Sequence, residues 1–257
     1  MMINVRTKRG LTLIELLVTI SIIALLISIL LPALSAGRGA ARDLECKSRM
    51  RSVTTEFIMF ADPAAGVPRG DSEVLGADVF RLEDFQERMY GIDEFWSGGD
   101  RDRETIASSE ASLMCPAASG PLERRSGMPC SAGAIGPEEN VSTGFNKRLE
   151  EKWVYIPQLD RNVRKPVYLT SKILSQPDTP LVFDIDGRTA ADVGQIPYYS
   201  APPVLSDKIV DMYEDGIFWY PSRRHNERTN VGFIGGHVLS SSKPEFEPFW
   251  RWSYVPE

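Results

Sequence analysis

Three cysteines, two histidines, one acid inside a long apolar run and one Asp-x-Asp-Gly sequence are the parts of this chain whose chemistry asks for an explanation. The thiols of Cys46, Cys115 and Cys130 can pair, bind a soft metal or simply pack. His225 and His237 can ligate a metal, move a proton or hold a turn. A site built from Cys115, Cys130, His225 and His237 would suit zinc in donor type, yet neither pair has zinc-finger spacing. Asp184-Ile185-Asp186-Gly187 has the spacing that opens an oxygen-rich calcium loop. It lacks the third acid and the downstream glutamate of an EF-hand, so Asp184 and Asp186 are weak metal candidates beside a plainer alternative, a strand ending in an acidic turn. Glu15 is the only charged residue from Leu11 to Leu31. A carboxylate at that depth needs a partner or a short path to water.

Enzyme signatures are missing. There is no Gly-x-Ser-x-Gly, His-Glu-x-x-His or P-loop sequence. Gly70-Asp71-Ser72 is similar to the nucleophile turn of one esterase family, but no buried strand precedes it and its partner motifs are absent. Arg69-Gly70-Asp71 is an adhesion tripeptide that chance supplies easily. The expectation is a protein that is not an enzyme, with a signal-anchored periplasmic hydrolase or binding protein as the alternative. With 29 basic against 35 acidic residues the net charge is −6, so no basic excess exists to neutralise phosphates and no nucleic-acid partner is expected.

The elements that position these residues begin with the apolar run. Leu11–Leu31 is 21 residues long, and at ~1.5 Å per residue such a helix spans roughly 30 Å, the thickness of a bilayer's hydrocarbon core. Arg6, Lys8 and Arg9 on the short flank hold that end in the cytoplasm and send the rest of the chain across. A cleaved secretory signal has a shorter apolar region, ~7–15 residues, and no use for Glu15. Ser21, Ala24 and Ser28 form a stripe of small residues on the span.

Beyond Pro32 the helix is expected to continue, kinked there and weakened at Gly37 and Gly39. Leu44, Val53, Phe57 and Phe60 share a broad apolar face, while Arg38, Arg42, Lys47, Arg49 and Arg51 stay wet. Asp62-Pro63 and Gly66-Val67-Pro68 stop the helix. Val79–Tyr90 reads as a short amphipathic helix with Phe80, Leu82, Phe85 and Met89 apolar. Trp153–Ile156, Val167–Leu169, Leu181–Asp184 and Ile217–Tyr220 read as strands. Asn230–Ser241 reads as a hairpin closed by a two-residue Gly235-Gly236 turn. The apolar half of the long helix then has a small antiparallel sheet to cover, an α+β arrangement. The parts are a leader (1–10), a transmembrane helix (11–31), its amphipathic extension (32–61) and an exported globular domain (62–257).

Lys8-Arg9-Gly10-Leu11-Thr12-Leu13-Ile14-Glu15-Leu16-Leu17 resembles the leader junction of type IV prepilins and type II secretion pseudopilins. The resemblance implies cleavage between Gly10 and Leu11 by a prepilin peptidase and N-methylation of Leu11, which stands where the family usually has Phe. It makes Glu15 the counter-charge for the new amine of a neighbouring subunit. It further implies a pseudopilin-like fold, assembly with other pseudopilin subunits and inner-membrane machinery for protein export, and contact with membrane lipid. The protein would cross the bacterial inner membrane once, amino terminus in the cytoplasm and globular domain in the periplasm. Ala40-Ala41-Arg42 leading to Cys46, then Met50 and Arg51, is similar to one group of pseudopilin-like proteins. So are Cys115-Pro116 to Cys130 and Ser142-Thr143-Gly144-Phe145-Asn146. Arg224-His225 followed by Asn230–Val238 is similar to that group's His-x9-Asp-Gly motif, with Gly235 in the Asp position.

An exported domain meets oxidising conditions. Three cysteines allow at most one internal pair. Cys115 and Cys130 flank a Pro- and Gly-rich loop, and a bond between them would gain roughly 3 kcal/mol in the chain-entropy model; two buried thiols are the alternative. Cys46 reads as a small packing residue on the helix. No cofactor is expected, with calcium as the one possibility.

Overall fold

The computed structural model describes residues 13–67, 69, 78–92, 113–118, 141–192, 200–201, 213–214, 217–218, 222–244 and 247–254. The chain divides into two compact units, Met1–Ala41 and Arg42–Glu257. Helix α1 (Leu13–Ala61) runs through Pro32, Gly37 and Gly39 and supplies residues to both.

In the first unit every described residue is exposed. Among the described residues α1 is the one helix long and apolar enough to cross a membrane. Its hydroxyls are satisfied within the helix: Thr19 Oγ1 donates to Leu16 O (2.8 Å), Ser21 Oγ to Leu17 O (2.8 Å) and Ser28 Oγ to Leu25 O (2.7 Å). That back-bonding pairs these three hydroxyl protons without calling on water.

The second unit has its core under the rest of α1. Cys46, Met50, Val53, Thr54, Phe57, Phe60 and Ala61 are buried, one face at helical spacing. The expected Val53, Phe57 and Phe60 are among them, but Leu44 is 70% exposed. It lies two residues before Cys46, about 200° around a helix of 3.6 residues per turn, and so on the opposite face. Lys47 and Arg49 are half-buried and paired one turn back, to Asp43 (2.7 Å) and Glu45 (2.5 Å). The helix stops at Ala61, and Asp62 caps the short 3-10 turn Pro63–Ala65 that follows.

Strand β1 (Val79–Phe80) precedes helix α2 (Leu82–Tyr90), so the expected helix is shorter by its first turn. β1 pairs with β5 (Leu169–Thr170), which ties Val79 and Phe80 into backbone hydrogen bonding a helix would forbid. Phe57, Phe60, Phe80 and Phe85 interlock edge to face at 5.2–6.2 Å between ring centres. Met89, counted with the apolar residues of the expected helix, is 37% exposed.

The main sheet contains β2 (Thr143–Asn146), β6 (Pro180–Asp184), β7 (Ser200–Ala201), β10 (Thr229–Phe233) and β11 (Val238–Ser241), in the order β11-β10-β6-β2-β7. All neighbours are antiparallel except β2 and β7, so the sheet has one parallel edge. Two hairpins stand outside it, β3 (Glu151–Ile156) with β4 (Arg161–Pro166), and β8 (Tyr213–Glu214) with β9 (Ile217–Phe218). Helix α3 (Gly187–Asp192) follows β6. α1 crosses the sheet at Gly232, where an added Cβ would meet Thr54 Cγ2 and Val182 Cγ2, each at 3.0 Å. Helix and strand are in direct contact there because the strand has no side chain.

The β10–β11 hairpin closes differently from expectation. Phe233 N–H donates to His237 O (2.9 Å) and Gly236 N–H to Phe233 O (2.9 Å), leaving a three-residue loop, Ile234–Gly236. Of the two glycines only Gly236 has a positive φ, 81°. This is the turn followed by a left-handed residue that three-residue hairpins use, where a two-residue primed turn would need both.

Candidate functional site

The fold collects Cys46, Cys115, Asp184 and His225 into one buried cluster, their ligand atoms all within 4.8 Å of one another. Each comes from a different element. Cys46 lies on the buried face of α1. Asp184 ends β6, whose five residues are all buried, so its carboxylate has no exit to solvent. Cys115 follows a turn at Leu113, its amide donating to Ser142 Oγ (2.7 Å) at the start of β2. His225 opens a tight turn, bridged to Arg228 across Asn226 and Glu227, which have φ of 51° and 61°. Both are left-handed, as a type I′ turn requires; asparagine takes this readily, glutamate less so.

The contacts are close and polar. Cys46 Sγ–H donates to Asp184 Oδ1 (3.2 Å), and Cys115 Sγ faces His225 Nε2 (3.2 Å). Asp184 Oδ2 stands 3.6 Å from His225 Nε2 and accepts the Asn230 amide at 3.0 Å. Behind the imidazole, His225 Nδ1 meets Asp43 Oδ1 at 3.4 Å. Asp43 in turn accepts from Asn230 Nδ2 (2.9 Å) and Lys47 Nζ (2.7 Å).

Protonation follows from this packing. Hydrogen bonding with Cys46, and less with His225, outweighs burial and draws the Cys115 thiol down to about 4, well below the ordinary thiol value. Cys46 is pushed up by the same bond, by burial and by Asp184, and keeps its proton. Burial, reinforced by the Cys115 charge, lifts Asp184 to about 6. Burial works against a charged His225, but Cys115, Asp184 and Asp43 outweigh it and hold its pKa up. Sulfur, imidazole and carboxylate stand in the order of a cysteine nucleophile and its base. All of it is enclosed, however, with Cys115 and His225 each 4% exposed, which closes it to a substrate. The same donors, two sulfurs, a nitrogen and an oxygen, are those of a metal site.

Several expected sites fall elsewhere. Gly10, Leu11 and Cys130 lie outside the described residues. Glu15 sits in the first turn of α1. Cys115 is a buried free thiol, turned toward Cys46 and His225. His237 does not join it; its ring stacks on Phe233 at 4.5 Å. Asp184 and Asp186 part company, Asp186 capping α3 through Thr189 N–H (3.2 Å) and Thr189 Oγ1 (2.9 Å). Arg69 is no exposed adhesion residue. It is buried, donating to Phe60 O (3.0 Å) and Ala61 O (2.8 Å) at the end of α1 and pairing with Asp78 (3.1 Å). Gly235, in the Asp position of the carboxy-terminal likeness, has room for no side chain, because a Cβ would stand 2.7 Å from Pro177 Cβ.

The cluster was missed because spacing cannot show it: the Cys46–Asp184 and Cys115–His225 contacts join residues 138 and 110 apart. The available signal was an acid closing the apolar stretch Pro180-Leu-Val-Phe-Asp184, a place where a carboxylate must have partners.

A family model for the prokaryotic N-terminal methylation motif matches residues 5–31. The match stops short of His225 and Gly235. No curated protein and no solved structure matches the chain. A basic leader, Gly10, Glu15 and a helix long and apolar enough to span a bilayer thus make the amino-terminal segment a prepilin-type methylation motif.

Proposed function

We propose that this chain is a pseudopilin-like subunit, cut between Gly10 and Leu11 by a prepilin peptidase, methylated on Leu11 and assembled through α1 with other pilin-like subunits. The structure it joins is of the type II secretion or type IV pilus kind, working in protein export from the inner membrane. The amino terminus faces the cytoplasm and residues 62–257 lie in the periplasm. It acts by assembly and not by catalysis. The methylation motif at residues 5–31 carries this reading, supported by an apolar segment of α1 whose outer surface its own fold leaves exposed. Protein of that design gains its stability from lipid and neighbouring helices.

The test is the intact mass of the membrane-bound protein made in cells with the peptidase. It should begin at Leu11, with or without one methyl group, and Gly10→Ala should leave the leader attached. A mature protein that keeps Met1 overturns the proposal.

A further inference from the structure

We propose that Cys46, Cys115, Asp184 and His225 form a structural zinc site that fastens residues 42–61 of α1 to the sheet. With bonds of about 2.3 Å to sulfur and about 2.0–2.2 Å to nitrogen and oxygen, a tetrahedral zinc ion holds its ligands about 3.3–3.8 Å apart. The cluster shows 3.2 Å from Cys46 Sγ to Asp184 Oδ1, 3.2 Å from Cys115 Sγ to His225 Nε2 and 3.6 Å from His225 Nε2 to Asp184 Oδ2. Taking one ligand atom from each residue, all four lie within 4.8 Å of one another, so closing onto one ion asks side-chain tips to move by up to about 1 Å. Two sulfur donors disfavour calcium and magnesium, which bind through oxygen, and a closed set of four protein ligands is the mark of a structural and not a catalytic zinc.

The surroundings fit as well as the ligands. Metal-bound histidines pass their second ring nitrogen to a carboxylate, and Asp43 Oδ1 stands 3.4 Å from His225 Nδ1 with Nε2 aimed inward. Asn230 holds both acids, its amide on Asp184 and its side chain on Asp43, and is itself held by Ser240 Oγ at 2.6 Å. The Ala117 amide donates to the Cys115 sulfur. His225, Asp184 and Cys115 are therefore each oriented by a neighbour that does not itself bind the ion, and Cys46 is held by Asp184. Two thiols and a carboxylate buried together are hard to account for by packing alone, since apolar residues of that volume would cost less. A divalent cation offsets their charge, and because the ligands come from four elements it binds the folded chain only.

The test uses full-length protein in detergent micelles, reduced, stripped with a chelator and titrated with cobalt(II) and zinc(II). One cobalt per chain is expected, with tetrahedral ligand-field bands and a thiolate-to-cobalt charge-transfer band, displaced by one equivalent of zinc. Cys130→Ser should leave the spectrum unchanged, since the proposed set of four ligands does not include Cys130. Asp43→Asn, at a residue that is no ligand but holds the imidazole as well as Asn230 and Lys47, should lower affinity roughly 10–100-fold while keeping the spectrum, and His225→Gln should lower it further. Well-folded wild-type protein that takes up no cobalt, or takes it up without the thiolate band, overturns the site. So does a Cys46–Cys115 disulfide in protein isolated without added metal and left unreduced. Processing at Gly10 is independent of these outcomes.

Discussion

Two stretches of α1 solve the same problem in opposite ways. Residues 13–41 carry an almost unbroken apolar surface that the chain's own fold leaves exposed, whereas residues 42–61 bury one face under aromatic side chains and a sheet. The difference lies in the pattern. An apolar surface on all sides asks for surroundings that are apolar on all sides, a bilayer or other helices; a stripe asks for one partner face. The first stretch therefore takes its stability from outside the molecule and the second from within. The chain marks the second with polar fixtures the first lacks, the buried cluster around Cys46 and the Arg69 guanidinium on the last carbonyls of the helix.

The largest expected effect breaks this contrast at Glu15. On the proposed assembly its carboxylate meets the amine of a neighbouring Leu11 away from water. Glu15→Leu removes a desolvation cost, so insertion should hold or improve, and cleavage after Gly10 should survive. Subunit association should be lost, because the amine is left without a counter-charge at every repeat of the contact. Crosslinking in native membranes reads the result; equal association by both proteins would make Glu15 an interfacial residue only.

A matched pair sharpens the contrast next. Phe57 is fully buried among other rings, so Phe57→Ala should cost about 3–5 kcal/mol of domain stability. Leu26, 54% exposed, should change it by less than about 0.5 kcal/mol on truncation to Ala. Denaturant unfolding in micelles, followed by tryptophan fluorescence, separates the two. Similar losses from both would mean that the outer stretch is packed within the monomer.

The third change tests a departure from the carboxy-terminal likeness. Gly235 N–H donates to Pro177 O at 3.0 Å, and its Cα hydrogens fill the place a side chain would need. Gly235→Asp, which restores the likeness, should destabilise by about 1–3 kcal/mol through this overpacking. A neutral or stabilising result would show that the loop yields, and that the glycine is not there for space.

How far the sequence reaches depends on the range over which each feature is decided. The long apolar helix, its end and the pairing within the Asn230–Ser241 hairpin were readable because each is set by neighbours within a few turns. Leu44 was placed on the wrong face because a loose apolar count ignored the helical angle to Cys46. β4 went unread because Arg161-Asn-Val-Arg-Lys-Pro166 has no apolar alternation, its strand form coming from pairing with β3. Met89 was exposed because α2 is short and turns one narrow face inward. The cluster lay furthest out of reach, since its members meet only once the helix lies on the sheet.

The smallest predicted effect concerns the fixture below the end of α1. Burial would raise Asp78, but the Ser171 hydroxyl (2.9 Å) and amide (3.2 Å), followed by Arg69, outweigh it and hold its pKa below the ordinary carboxylate value. A native pKa below the unfolded one, about 3.9, means that the unfolded chain binds the proton first. The contribution is fully present above that value and is lost as pH falls through the native pKa. It is modest, because the Asp78 carboxylate is 47% exposed and solvent screens its pairing with Arg69. Ser171→Ala removes the hydroxyl that does most to hold the carboxylate ionised, yet leaves Arg69 on the Phe60 and Ala61 carbonyls. Its unfolding free energy should sit slightly below wild type at pH 6 and converge on it as pH falls through the native Asp78 pKa. A gap between the two proteins that stays constant across that range would assign Ser171 a packing role and leave the Asp78 charge without a part in closing the helix.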